Sequence, residues 1–453
     1  MLSKTLALAI AIVLFVELLR DKRPRYLVSL CAGCWMLVLL LLTHPPAVLE
    51  ALSLHSFLTP RFWFAHGGVT ELNVGINWST MFFLTGMMVL VEGMGEAGFF
   101  DWVSLRLARA LGFRPMAILL SFMILAALLA MFVDSVTVIL FLVAATVRLA
   151  QYLRFDPVPL IIGEIFAANL GGAATMTGDP PNIIIGTALG YTFTDFIQNT
   201  GVIVGICFVF VLLFFWLCFR KELLREERAN GGPVVCPEPS SAITDRRAFG
   251  ASAAVFLLAV VLLVTHAQTG LTVACIGVIV AALTLLVMAL SHGRATVLEV
   301  IRGVDYKTLL FFIGLFVSVC GLEKTGVLDI IARFITNISG GHVATIVVII
   351  LWLSAVTSAF VDNIPFAATM IPVIRSIAAV EGMDVGVLAW ALSLGTDLGG
   401  NATPIGASAN VVGTSVSAKG GYPIGWGRYC KYCVPATILV MAVSTVCLFL
   451  RYL

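Results

Sequence analysis

Hydrophobic residues run along this chain in blocks near the ~20 residues needed to cross a bilayer, and polar residues gather in short clusters between them. Read for spans, the first half places helices near 5–20, 26–43, 78–95, 158–190 and 200–219. The second half places them near 249–266, 271–291, 307–322, 386–418 and 432–450. Between the third and fourth span of each set lie an amphipathic piece, "FFDWVSLRLARALG" or "VLDIIARFITNISG", and a longer apolar stretch centred on Phe-Val-Asp. Those stretches, about 115–155 and 343–383, read as re-entrant helical hairpins. As two full spans each, they would leave Asp134 and Asp362 at turns by the membrane surface, where a recurring acid has little purpose.

The same words return half a chain later. At an offset of 228 residues "NLGGAATMTGDPPN" aligns with "DLGGNATPIGASAN", and "FVDS" with "FVDN", without a gap from Asn77 to about Ile183. The matches are rich in Gly, Asp, Asn and Thr, which unrelated apolar helices would not share. Five crossings per repeat force the two into opposite orientation. The predicted fold is thus an all-α integral membrane protein of two inverted repeats, 1–220 and 248–453, joined by a hydrophilic linker at 221–247. Placing the N- and C-termini outside puts most of the 27 Lys and Arg residues in the cytoplasm with the linker. Only Lys4, Arg61, Lys324, Arg333, Arg375 and Arg451 are left outside.

Composition agrees with a multi-pass protein of a cell inner (plasma) membrane, at 60% hydrophobic, 11% charged and a mean hydropathy of +1.05. A net charge of +2 argues against a nucleic-acid partner. The first apolar segment resembles a signal peptide, but "ELLRDKRPR" offers no small-residue cleavage site, and it reads as a helix that stays. The pairs Cys31/Cys34 and Cys430/Cys433 do not form a disulfide framework, and no function is assigned to them or to the polar insertion at 43–77. The chain has no nucleotide-binding loop, no catalytic triad and no metal-ligand cluster, so an enzyme, a cofactor and a built-in ATPase are not expected.

Two segments break the apolar spans with Gly, Pro and hydroxyls: Gly171 to Gly186 and Gly399 to Gly413. A broken helix at membrane depth is tolerated where it lines a protein-enclosed cavity, and its half-helix ends then face a solute. Candidate binding residues are Asn169, Thr175, Thr177, Asn182, Asn401, Thr403, Ser408 and Asn410, with Asp134, Ser135, Asp362 and Asn363 at the hairpin tips. Asp134, Asp362, Asp179 and Asp397 are candidates for proton or cation coupling, since a carboxylate poised to exchange a proton is what a gradient-driven carrier needs. Asp134 and Asp362 have a simpler alternative role, capping the second hairpin arm. Glu92 and Glu164 read rather as gating or packing groups. No Lys or Arg falls in the tips or breaks, which suits a cation, a proton or a small neutral hydroxylated solute.

The quoted motifs, with "FVDNIPFAATMIPVI" and "LGTDLGGNATPIGASANVV", resemble the ion transporter superfamily, in its arsenite permease and pink-eyed-dilution (P protein) branch. The resemblance covers nearly the whole chain. It implies elevator-type movement, a solute held between hairpin tips and broken helices, and relatives that export arsenite, exchange sodium for protons or carry dicarboxylates. The Ser-Asn-Thr tip signature of the dicarboxylate carriers is replaced by Asp-Ser-Val and Asp-Asn-Ile, which points away from that substrate. The expected function is export of a small inorganic solute, trivalent arsenite or antimonite, in exchange for protons. Sodium/proton antiport is the alternative, followed by an anion symporter and a gated channel. A homodimer and a soluble ATPase subunit are left open.

Overall fold

The computed structural model describes residues 2–20, 22–64, 75–229, 238–243, 245–361 and 363–453. Among them the regular elements are helices, eight of which are long and apolar enough to cross a membrane, or nine if one bent pair is a single span. Asp362 lies outside the described residues.

The helices recur at the spacing of the sequence repeat. Hairpin arms Pro115–Ala130 and Ser135–Leu153 correspond to Val343–Ser358 and Asn363–Glu381. The predicted breaks are real interruptions, with Val158–Gly172 and Pro180–Leu189 in one repeat and Val385–Gly399 and Ser408–Lys419 in the other. Each hairpin's second arm is 19 residues long and passes the length and composition test for a span. Its first arm is a shorter apolar helix of 16 residues. The linker begins later than expected, because "KELLREER" is made of strong helix formers and extends helix Val202–Ala229 past residue 220. The next helix starts at Arg246, where Asp245 accepts a hydrogen bond from the Arg247 amide.

Two layers follow from which helices touch. In one, Arg25–Thr43 packs on Tyr306–Lys324, and its repeat-related pair Val273–His292 packs on Trp78–Glu96. Glycines allow the close approach: a Cβ at Gly86 would lie 2.1 Å from the Gly277 carbonyl oxygen, and one at Gly314 would lie 2.4 Å from Ser29 backbone. In the other layer, each first hairpin arm packs on the first half of its own broken helix. A Cβ at Gly171 would meet Ala127 backbone, and one at Gly399 would meet Ala355. The second halves cross over: Pro180–Leu189 packs on the hairpin arm Asn363–Glu381, and Ser408–Lys419 on Ser135–Leu153. This exchange interlocks the repeats at the centre. Within the insertion, the short helices Pro45–Leu52, Ser56–Leu58 and Pro60–Trp63 bring Phe57 and Phe62 edge-on, and Trp63 tilted, against Phe82.

Candidate functional site

Each break is held by the same two tethers. Asn182 donates through Nδ2 to the carbonyls of Gly172 (3.2 Å) and Thr175 (3.1 Å), and Asn410 donates to those of Gly400 and Thr403 (both 2.8 Å). These amides replace helix bonds lost where the chain unwinds. The hydroxyls of Thr175 and Thr403 donate to the hairpin-tip carbonyls of Met131 and Ala359. Thr177 makes a longer bond to Met131, at 3.4 Å. These three threonines, expected to face a solute, are thus tied to the hairpin tips.

Asp179 ends the first break and is the residue before Pro180–Leu189. Its carboxylate accepts from Ser135 Oγ (3.2 Å) and Asn363 Nδ2 (2.8 Å), one from each hairpin tip. The carboxyl group sits at the positive end of a half-helix. Pro180 and Pro181 have no N–H to offer there, so the carboxylate is held from the tips. Asp397, at the end of the opposite helix, lies against Asp179 and within reach of the Asn182 and Asn363 side chains, with none of these contacts drawn in to an aligned hydrogen bond. It is 1% exposed, and Asp179 5%. Ser393, one turn before Asp397, donates to Asn182 Oδ1 at 2.6 Å. Sequence reading missed Ser393 because its repeat partner is Ile165 and no pattern marks it.

The corresponding place in the other repeat carries no acid. Asn169 stands where Asp397 would be, donating to Oδ1 of Asn401 (2.9 Å) and of Asn410 (2.7 Å), and Ala407 replaces Asp179. One centre is doubly acidic and its twin is made of amides.

Asp134 caps the hairpin arm Ser135–Leu153, accepting from the Thr137 amide (3.2 Å) and hydroxyl (3.0 Å). It also lines a cavity of about 720 Å³ that runs from Lys22, Arg23 and Arg25 down to Ser135, Asp179, Asn363 and Ser408. Asp179 therefore belongs both to the cavity floor and to the acidic pair. Asn169, Asn401, Asn410 and Asp397 are sealed from this cavity. Among the described residues no group of three His, Cys, Asp or Glu side chains could hold a metal.

A family model described as a citrate transporter, CitMHS, matches residues 12–395. An uncharacterized transporter of Mycobacterium tuberculosis is 32% identical over 382 residues, covering 84% of this chain and 87% of its own. A 46 kDa membrane protein of Mycobacterium leprae is 34% identical over the same share of each chain. The human P protein is 27% identical, with 92% of this chain and 58% of the relative aligned. Among solved structures, the YdaH transporter of Alcanivorax borkumensis superposes with a TM-score of 0.58 at 15% identity, covering 93% of this chain and 98% of that one. MtrF of Neisseria gonorrhoeae, from a class of antimetabolite efflux pumps, gives 0.56 at 12% identity, covering 91% and 85%. At these identities the two structures speak for the fold alone.

Proposed function

The chain belongs to the CitMHS family of citrate transporters within the ion transporter superfamily, and for this member we propose a proton-coupled secondary transporter that exports trivalent metalloid hydroxides. Asp179 and Asp397 form the coupling centre. The observation that carries this reading is the placement of two carboxylates side by side in a nearly closed cluster of amides and hydroxyls, with no Lys or Arg among them. Two like charges so close and so dry cannot both persist, so the pair takes up a proton or a small cation. Protonation at one face and release at the other gives exchange. A neutral polyhydroxyl such as arsenous acid matches a cavity floor of hydroxyl and amide groups, whereas a multiply charged anion would meet two acids.

In this scheme the repeats are inverted across the inner membrane, the termini are outside, and the linker is cytoplasmic. The hairpins and broken helices slide as one unit against the layer built on Gly86 and Gly314. Hairpin tips from the two repeats meeting at one carboxylate support that geometry, because inverted hairpins that crossed the whole bilayer would hold their tips ~30 Å apart.

Sodium/proton antiport is the second reading, favoured by the same acidic pair. Inside-out vesicles with an acid interior separate the cases. Arsenite uptake that collapses with the gradient and disappears in Asp397→Asn supports metalloid exchange. Sodium-driven alkalinisation without arsenite movement replaces it by antiport. Citrate, the solute named by the family, is the third arm: accumulation of citrate alone would overturn both readings.

A further inference from the structure

Away from the cavity the first repeat buries another acid that the coupling centre does not use. Glu164 sits in helix Val158–Gly172 with 0% exposure; its Oε1 accepts from Thr146 Oγ1 at 2.6 Å, and its Oε2 has no partner. Thr146, also fully buried, comes from the hairpin arm Ser135–Leu153 packed alongside. The charged groups on the elements around this helix are engaged elsewhere or stand at helix ends. Arg148 pairs with Asp101, Arg428 with Asp156 and Glu222, and Asp397 lies by Asp179. Lys419 ends its helix, and Arg220 lies over the Trp216 ring. Of the buried titratable groups on the packed helices, Cys207 contacts Ser444, while Cys433 faces Tyr429. Among the described residues, the polar partner of Glu164 is the Thr146 hydroxyl.

The chain contains its own control for what the fold requires here. At the repeat offset Glu164 becomes Leu392 and Thr146 becomes Ile374, both fully buried. The second repeat fills the equivalent places with hydrocarbon, so packing does not call for an acid and a hydroxyl. A lone carboxylate without counter-charge is not stable in such surroundings, whereas a carboxyl holding a proton is.

We propose that Glu164, oriented by Thr146, is a second proton-binding site, carried by the first repeat's hairpin and broken helix and distinct from the Asp179–Asp397 centre. Its ligand is one proton, added to a carboxylate oxygen to give the acid and returned unchanged to water when that packing opens on the cytoplasmic side. The consequence for transport rests on the proton-coupled reading above, but binding of the proton does not. The protein would bind one proton more than its acidic pair accounts for.

The test uses purified full-length protein and two readouts independent of any solute. Infrared difference spectra across a pH titration are expected to show a buried carboxyl band that persists in Asp179→Asn and Asp397→Asn and vanishes in Glu164→Gln. Proton uptake after an acid jump should fall by one per chain in Glu164→Leu/Thr146→Ile, which copies the second repeat and so guards against misfolding. A band unchanged in Glu164→Gln, or a carboxyl band that never titrates, or uptake unchanged in the double variant, would overturn the site. Failure of arsenite transport with these signals intact would count only against the metalloid reading.

Discussion

Ser135 and Asn363 occupy equivalent positions in the two repeats, and both donate to one carboxylate, Asp179, at 3.2 and 2.8 Å. An internal symmetry thus converges on a residue that itself has no symmetric counterpart, since Ala407 stands in its place. The two hairpins are coupled through that acid. Cutting either hydrogen bond frees one tip from the other, and Ser135→Ala combined with Asn363→Ala should cost no more than the larger single change if the tips act as a unit. A double-mutant cycle on transport rate measures this.

Asp397→Asn places in the acidic centre the same side chain its repeat partner Asn169 already supplies. No aligned hydrogen bond holds the buried Asp397 carboxyl beside Asp179, so replacing one of two adjacent acids by an amide should leave the thermal midpoint unchanged or raised while gradient-driven transport falls at least ~100-fold. A lowered midpoint with residual coupled transport would count against Asp397 as a coupling group.

Asn182 and Asn410 hold the breaks through two carbonyl bonds each. Replacement of either by Ala strands those carbonyls, at about 1 kcal/mol or more per bond. A fall in thermal stability of roughly 2–4 kcal/mol equivalent is expected, measured in detergent by fluorescence-monitored melting. Leucine should be worse than alanine, having volume without a donor.

Gly86→Ala and Gly314→Ala thrust a methyl into facing backbone, whereas Gly33, whose Cβ would stand 3.0 Å from Gly314 oxygen, has slightly more room. The order of damage should therefore be Gly86 and Gly314 before Gly33, read as yield of monodisperse protein. Equal yields would mean that these helices part more readily than their packing implies.

A cysteine at Ser408 should be labelled by a membrane-impermeant thiol reagent from the face where Lys22 and Arg25 open the cavity, in a background lacking the native cysteines. Labelling from the cytoplasmic side alone accords with the charge bias of the loops. Labelling from outside alone would reverse the assigned orientation.

Much of this was legible in the primary structure because repetition writes backbone geometry twice. The Gly and Pro of "GGAATMTGDPPN" mark a break wherever they stand, and the break begins after Gly172 and ends at Pro180. The hairpin turns at Phe-Val-Asp were readable for the same reason. Side-chain roles were harder. Asp134 reads in the sequence either as a coupling group or as a cap, and one of its oxygens, Oδ2, takes the capping bonds from Thr137, while Asp362 lies outside the described residues. The meeting of Asp179 with Asp397 depends on the crossover of second half-helices onto the opposite hairpin, a three-dimensional event with no local signature. Ser393 and Thr146 have apolar repeat partners, so looking for matched polar positions passes over them.

The unequal twins, Asp397 against Asn169, Asp179 against Ala407 and Glu164 against Leu392, bear on how the carrier rests. With inverted halves of identical sequence, the inward-facing form would be the outward-facing form turned over, and the two would have equal energy. Three acids, two in the first repeat and one in the second, each face a neutral residue at the equivalent place, and this breaks the symmetry and tilts the balance; on the proton-coupled reading the tilt changes as protons come and go. On that reading the empty protein acquires a preferred side to wait on, set by pH.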